Sequence, residues 1–164
     1  MNRVVLDYSQ EIEAHHIGLA RVADLKGRPD HPGRFNKAIS LHEFILENAE
    51  AVAAEIAVAQ YFGLKDFKPT LNTFKEQADV GSRLEVKWTK YDNGSLIINK
   101  TDREQDVAVL VTGRSPVYHL AGWIPVKMAR QPQFYHRGQG NFWISQRDLF
   151  PITDLRSSSH GSGI

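Results

Sequence analysis

Apolar residues in the first third of the chain recur with a helical period. Ile12, His16, Leu19 and Ala23 within residues 7–25 predict a first helix. Residues 25–37, LKGRPDHPGRFNK, contain two prolines and two glycines and read as a loop. The helical period then returns, with Ile45, Ala49, Val52, Ile56 and Ala59 forming one apolar stripe. Ser40-Leu41-His42-Glu43 has the form of a capping box, in which Ser40 accepts from the third amide and Glu43 reaches back. Gly63 suits the left-handed position past the helix end. A helix over Leu41–Phe62 would be roughly 33 Å long. Its many alanines favour helix and permit close approach to a sheet.

After Gly63 the period changes to two. Strands are predicted over Arg83–Thr89, Ser95–Asn99, Val107–Thr112, Val117–Trp123 and Asn141–Ser145, with Asp92-Asn93-Gly94 as a hairpin turn between the first two. Residues 146–155 read as a short helix or turn. Helices followed by a strand-rich stretch predict an α+β fold with a mixed sheet flanked by helices. Residues 1–155 read as a single domain, and the small polar residues 156–164 as a flexible C-terminal tail.

Composition adds exclusions. The 164 residues contain no cysteine, which removes disulfides, zinc–thiolate sites and cysteine nucleophiles. The N-terminus carries early acids and no long apolar run, so it reads as neither a secretory signal nor a membrane span, and a cytoplasmic location is expected. The sequons at Asn93 and Asn99 then read as chance matches. There is no Gly-x-x-x-x-Gly-Lys loop and no dinucleotide fingerprint. Net charge is only +1, but residues 1–82 carry 9 Lys/Arg against 12 Asp/Glu, and residues 83–164 carry 11 against 7. A nucleic-acid partner would therefore meet a local basic surface.

Residues 78–88, ADVGSRLEVKW, concentrate the candidate chemistry. Strand alternation places Leu84, Val86 and Trp88 on one apolar face, and Glu85 and Lys87 on the other. Gly81-Ser82 allows a turn that brings Asp79 beside Glu85. Two hard carboxylates can hold Mg²⁺, with the Val86 carbonyl as a further oxygen ligand. A lysine on the same face can orient an attacking water or stabilise charge on a phosphoryl group. Glu85-Val86-Lys87 taken alone is more often a solvated strand face than an active site.

Asp79 followed by Glu85-Val86-Lys87 resembles the PD-(D/E)XK nuclease superfamily, over about residues 41–125. Ala78 stands where that pattern often has proline, and no glutamine-x-x-x-tyrosine follows Lys87 as in the RecB-like exonuclease branch. The overall layout, with Gly122-Trp123-Ile124-Pro125, is also similar to small proteins encoded by bacteriophages. The resemblance implies a restriction-endonuclease-like core and a DNA endonuclease using Mg²⁺, with Mn²⁺ as a substitute. In it Asp79, Glu85 and Lys87 are catalytic, and a helix glutamate adds to the metal site. Glu55 lies roughly 80° from the centre of the apolar stripe and Glu50 roughly 140°, so Glu55 is expected at the site and Glu50 in solvent. A homodimer would serve to cut both strands of a duplex. The alternative is a non-catalytic nucleic-acid-binding or assembly module on the same scaffold.

Arg83, Lys90, Lys100 and Arg103 flank the motif and are candidate phosphate contacts, and Arg114, Lys127, Arg130 and Arg137 extend the basic set. Trp88, Trp123 and Trp143 lie on predicted strands and are assigned to core packing rather than base stacking. Phe134 and Tyr135, in the loop 130–140, are the better candidates for an exposed contact. His119 is assigned a structural role.

Overall fold

The computed structural model describes residues 2–25, 39–71 and 76–164. The loop read at 25–37 lies, from residue 26 on, outside the described residues. The first helix, α1 (Tyr8–Asp24), starts at a complete capping box: the Asp7 carboxylate accepts from the Gln10 amide, and the Gln10 side-chain oxygen accepts from the Asp7 amide, both at 2.9 Å. The second, α2 (Leu41–Tyr61), starts at Ser40, whose hydroxyl accepts from the Glu43 amide at 3.2 Å. It ends at Gly63, with φ +72°, where the Leu64 amide donates to the Ala59 carbonyl at 2.9 Å.

A four-stranded mixed sheet has the order β1-β5-β4-β2, with β1 at Arg3–Val5, β2 at Leu84–Thr89, β4 at Val107–Arg114 and β5 at Val117–Pro125. β2 runs parallel to β4, with Glu85 opposite Ala108 and Lys87 opposite Leu110, and the remaining pairs are antiparallel. A second sheet has the order β3-β7-β6, built from Leu96–Ile98, Asn141–Ile144 and Tyr135–His136. A short helix, α3 (Val126–Ala129), follows β5 directly. β1 and β6, only three and two residues long, are additions to the elements expected from the sequence.

The expected hairpin is a correction. Its turn forms, with the Gly94 amide donating to the Tyr91 carbonyl at 3.0 Å, but β2 and β3 do not pair. Gly94 packs so tightly on Thr89 that an added Cβ would lie 2.4 Å from its methyl carbon. The chain therefore drops out of the first sheet, and Leu96 and Ile98 pack with Ile144, Ala108, Leu110 and Ile124. Burying such side chains is worth about 1.5–3 kcal/mol each relative to leaving them exposed.

The main sheet is thus covered on both faces. Leu84, Val107, Val109, Val111 and Leu120 meet Val52, Ile56 and Ala59 of α2, with Val86 and Trp88 partly buried against them. Glu85 and Lys87 point to the opposite face, toward the second sheet. α1 packs on α2 through Gly18, where a Cβ would come within 2.6 Å of the Ala49 backbone. The tail expected to be flexible is placed against the body, with Ile164 on the main core and His160 edge-on to Trp123 at 5.7 Å. Among the described residues no helix is long and apolar enough to cross a membrane.

Candidate active site at the open edge of the main sheet

β2 is an edge strand, and the segment before it folds back along that edge. Val80 and Leu84 exchange backbone hydrogen bonds of 3.1 Å, closed by Gly81 at φ +59°. This tight turn brings the Asp79 carboxylate onto the Val86 amide at 2.8 Å. The Val86 carbonyl leaves the strand on the same side as its amide, so it too faces the open edge. The Gly81-Ser82 turn the sequence indicated thus returns Asp79 to β2, where it meets the backbone at Val86.

Glu85 is 1% exposed, and the Lys87 ammonium lies 2.9 Å from its carboxylate. A second acid, absent from the sequence expectations, closes on the same ammonium: Asp102, at 2.8 Å, with its side chain cut off from solvent. Asp102 ends a turn that returns the chain from β3, and its carboxylate also accepts from the Asn99 amide at 2.8 Å. Arg130 braces this turn by donating to the carbonyls of Asn99 and Lys100, each at 3.1 Å, and to that of Asp102. Lys87 is thus held between two buried carboxylates rather than extended into solvent.

Glu55, expected at the metal site, is buried and engaged by Arg21 of α1. The two guanidinium nitrogens donate to its two oxygens at 2.7 and 2.9 Å, a bidentate fork, and Arg21 also donates to the Thr70 carbonyl. Burial lowers the Arg21 pKa, and the bonds and charge of Glu55, with the charge of Asp79, more than reverse this and raise it overall. Stripping one member from such a buried pair costs about 3–5 kcal/mol. Among the described residues no three His, Asp or Glu side chains are placed to hold one metal ion. The expected gathering of Glu55, Asp79 and Glu85 on a single ion is not the arrangement found. Asp79, Glu85 and Lys87 share the edge of β2, and Glu55 belongs to a neighbouring pair with Arg21.

Glu50 is the second correction. It was expected in solvent, yet it is buried and accepts from the Tyr118 hydroxyl at 2.5 Å and the Ser115 amide at 3.1 Å. Both partners belong to the β4–β5 end of the main sheet, and α1 packs on α2 at the neighbouring Ala49, so the surface around Glu50 is covered.

The candidate phosphate contacts divide. Arg103 is committed to the fold: a bidentate pair with Asp106 at 2.6 and 3.0 Å, plus the Glu76 and Ser82 carbonyls. The Asp106 hydrogen bonds raise its pKa, burial opposes this, and the charges of Asp106, Glu85 and Asp79 add to the rise. Arg83 donates to the Gln105 carbonyl at 2.9 Å, and Lys90 lies over the Tyr91 ring. Lys100 is exposed. Trp123 is buried and Trp88 half-buried as expected, whereas Trp143 is 37% exposed, which reverses its assignment to the core. His119 is exposed on β5.

Arg21, Asp102 and Asp106 were not singled out from the sequence. The signal for the two aspartates was the run Asn99–Asp106, in which five of eight residues are charged directly before a buried strand. No family model, curated protein or solved structure matches the chain.

Proposed function

We propose that the chain is a divalent-metal-dependent nuclease that hydrolyses DNA phosphodiester bonds as an endonuclease. One observation carries the reading: the Gly81 turn sets Asp79 on the Val86 amide, at the same strand edge that bears Glu85 and Lys87. The donor set is all hard oxygen, namely two carboxylates and the Val86 carbonyl. That suits Mg²⁺, which commonly takes one or two protein carboxylates and keeps several waters, with Mn²⁺ as a substitute. Asp79, Glu85 and Val86 would hold the ion, and the ion would neutralise phosphate charge and acidify bound water. Glu55 supports the site through Arg21, whose guanidinium feels the charge of Asp79.

The protein's own part is positioning. The Asp102 turn and Glu85 hold the Lys87 ammonium, which would donate to an attacking water or to a phosphoryl oxygen. Preorganisation of this kind lets a cation stabilise developing charge without reorganising at the moment of reaction. A small domain with one such centre would cut a duplex as a homodimer.

Purified protein with Mg²⁺ or Mn²⁺ is expected to nick plasmid DNA, and a chelator to stop it. Lys87→Ala and Asp79→Asn should each lower the rate by about 10²-fold or more, with melting curves showing that both variants fold. Wild-type rates in the folded variants would refute the assignment.

A second reading, a non-catalytic nucleic-acid-binding module, is favoured by the pairing of Lys87 and Arg21 with buried acids. It requires salt-sensitive binding with no cleavage.

A further inference from the structure

The outer face of the second sheet carries an aromatic and amide row that the site at β2 does not use. In β7, Trp143 is exposed and Asn141 buried, both on the side away from Leu96, Ile98 and Ile144, and cross-strand register puts Ile97 beside Trp143 and the exposed His136 beside Asn141. The His136 and Trp143 rings stack at 4.9 Å with 34° between planes. The Trp143 indole donates to the Asn141 side-chain oxygen at 2.7 Å, and Asn141 reaches the Asn99 side chain at 3.4 Å. Asn99 in turn donates its amide to Asp102, which holds Lys87. The row therefore runs by unbroken contacts from an exposed aromatic pair to the candidate catalytic lysine.

Charge separates this layer from the rest of the chain. Residues 90–101 and 126–148 hold six Lys/Arg against two Asp/Glu, a net +4, while the remaining residues sum to −3. Lys100, Lys127, Arg137 and Arg147 are exposed.

We propose that this face binds single-stranded nucleic acid, with bases stacking on Trp143 and His136 and the backbone following Lys100 and Arg137 toward Lys87. The inference rests on the nuclease reading only for what happens at Lys87. It adds that the strand presented there is unpaired. Exposed rings on a sheet face offer π-surfaces to splayed bases, whereas a duplex hides its base faces and is read by an element that enters a groove. Stacking is tolerant of base identity, so the surface binds without strong sequence preference.

The test is anisotropy of a fluorescein-labelled oligothymidylate titrated with the full chain in EDTA, where cleavage cannot contribute. Saturable binding is expected, and Trp143→Ala should weaken it about 5- to 100-fold. Trp143→Phe should retain most of the affinity, and Arg137→Ala should reduce the slope of log K against log salt by about 0.7. Unlabelled oligouridylate as competitor shows whether a ribose backbone is also taken. Wild-type affinity in folded Trp143→Ala, or equal competition by a duplex of the same length, overturns the proposal. If Trp143→Ala fails to fold, His136→Ala decides by the same criterion. Trp143-dependent binding with no Mg²⁺-dependent cleavage would leave this surface standing and remove the nuclease reading, and the reverse pattern would do the opposite.

Discussion

Tyr118 and Glu50 show how a buried acid can be held by neutral donors. The phenol is fully buried, and burial, followed by the bond and charge of Glu50, raises its pKa above the ordinary value of 10.0. The folded protein therefore keeps the proton where the unfolded chain gives it up. The stability contributed is complete below about pH 10 and is lost as pH climbs from there toward the folded value. Melting temperatures of wild type and Tyr118→Phe should converge as pH rises above about 10. At neutral pH the variant should be less stable by about 1–3 kcal/mol, because Glu50 loses a donor it cannot replace with water. Parallel melting curves across this range would show that the phenol proton is not held by the fold. Such pairings, like Arg21 with Glu55 and Asp102 with Lys87, were not legible in the sequence. They join residues 34 and 15 positions apart in the last two cases, and each depends on how separate elements come to rest.

At the scale of elements, α2 and five strands followed from periodicity and punctuation, because each signal is local: Ser40 and Gly63 for the helix, alternation for Leu84 to Trp88. Asp79 beside β2 was also legible, since a single tight turn at Gly81 decides it. Strand partnership was not. Asp92-Asn93-Gly94 makes a turn whether or not its flanks pair, and the parallel neighbour of β2 lies beyond the crossover. Trp143 was misassigned because alternation gives two faces and does not say which one is covered. The α1–α2 contact supplies a test at this scale. Gly18→Ala gains about 1 kcal/mol of helix propensity, but its Cβ meets the Ala49 backbone, and overpacking of this kind costs about 1–3 kcal/mol. A fall in the urea midpoint is expected, and a rise would mean that the helices separate without loss.

For the whole molecule, the question is whether the β2 edge takes up a divalent ion. Binding to the folded state alone raises stability by about 2.7 kcal/mol at a ligand concentration 100 times Kd. Thermal unfolding in Mg²⁺ against EDTA should therefore show a rise in Tm, reduced in Asp79→Asn. An unchanged Tm over millimolar Mg²⁺ would count for the non-catalytic reading.

The parallel pairing of β2 with β4 also bears on the protein's synthesis. When β2 has been made, its neighbour in the sheet has not, and Lys87 has Glu85 beside it but neither Asp102 nor the Arg130 that braces the Asp102 turn. At about 5–20 residues per second, the ribosome adds that arginine only after β4, β5 and α3. An incomplete chain that stops before residue 130 carries the motif without the arginine that braces the Asp102 turn. The order of translation thus supplies the lysine first and the brace of its second carboxylate only later.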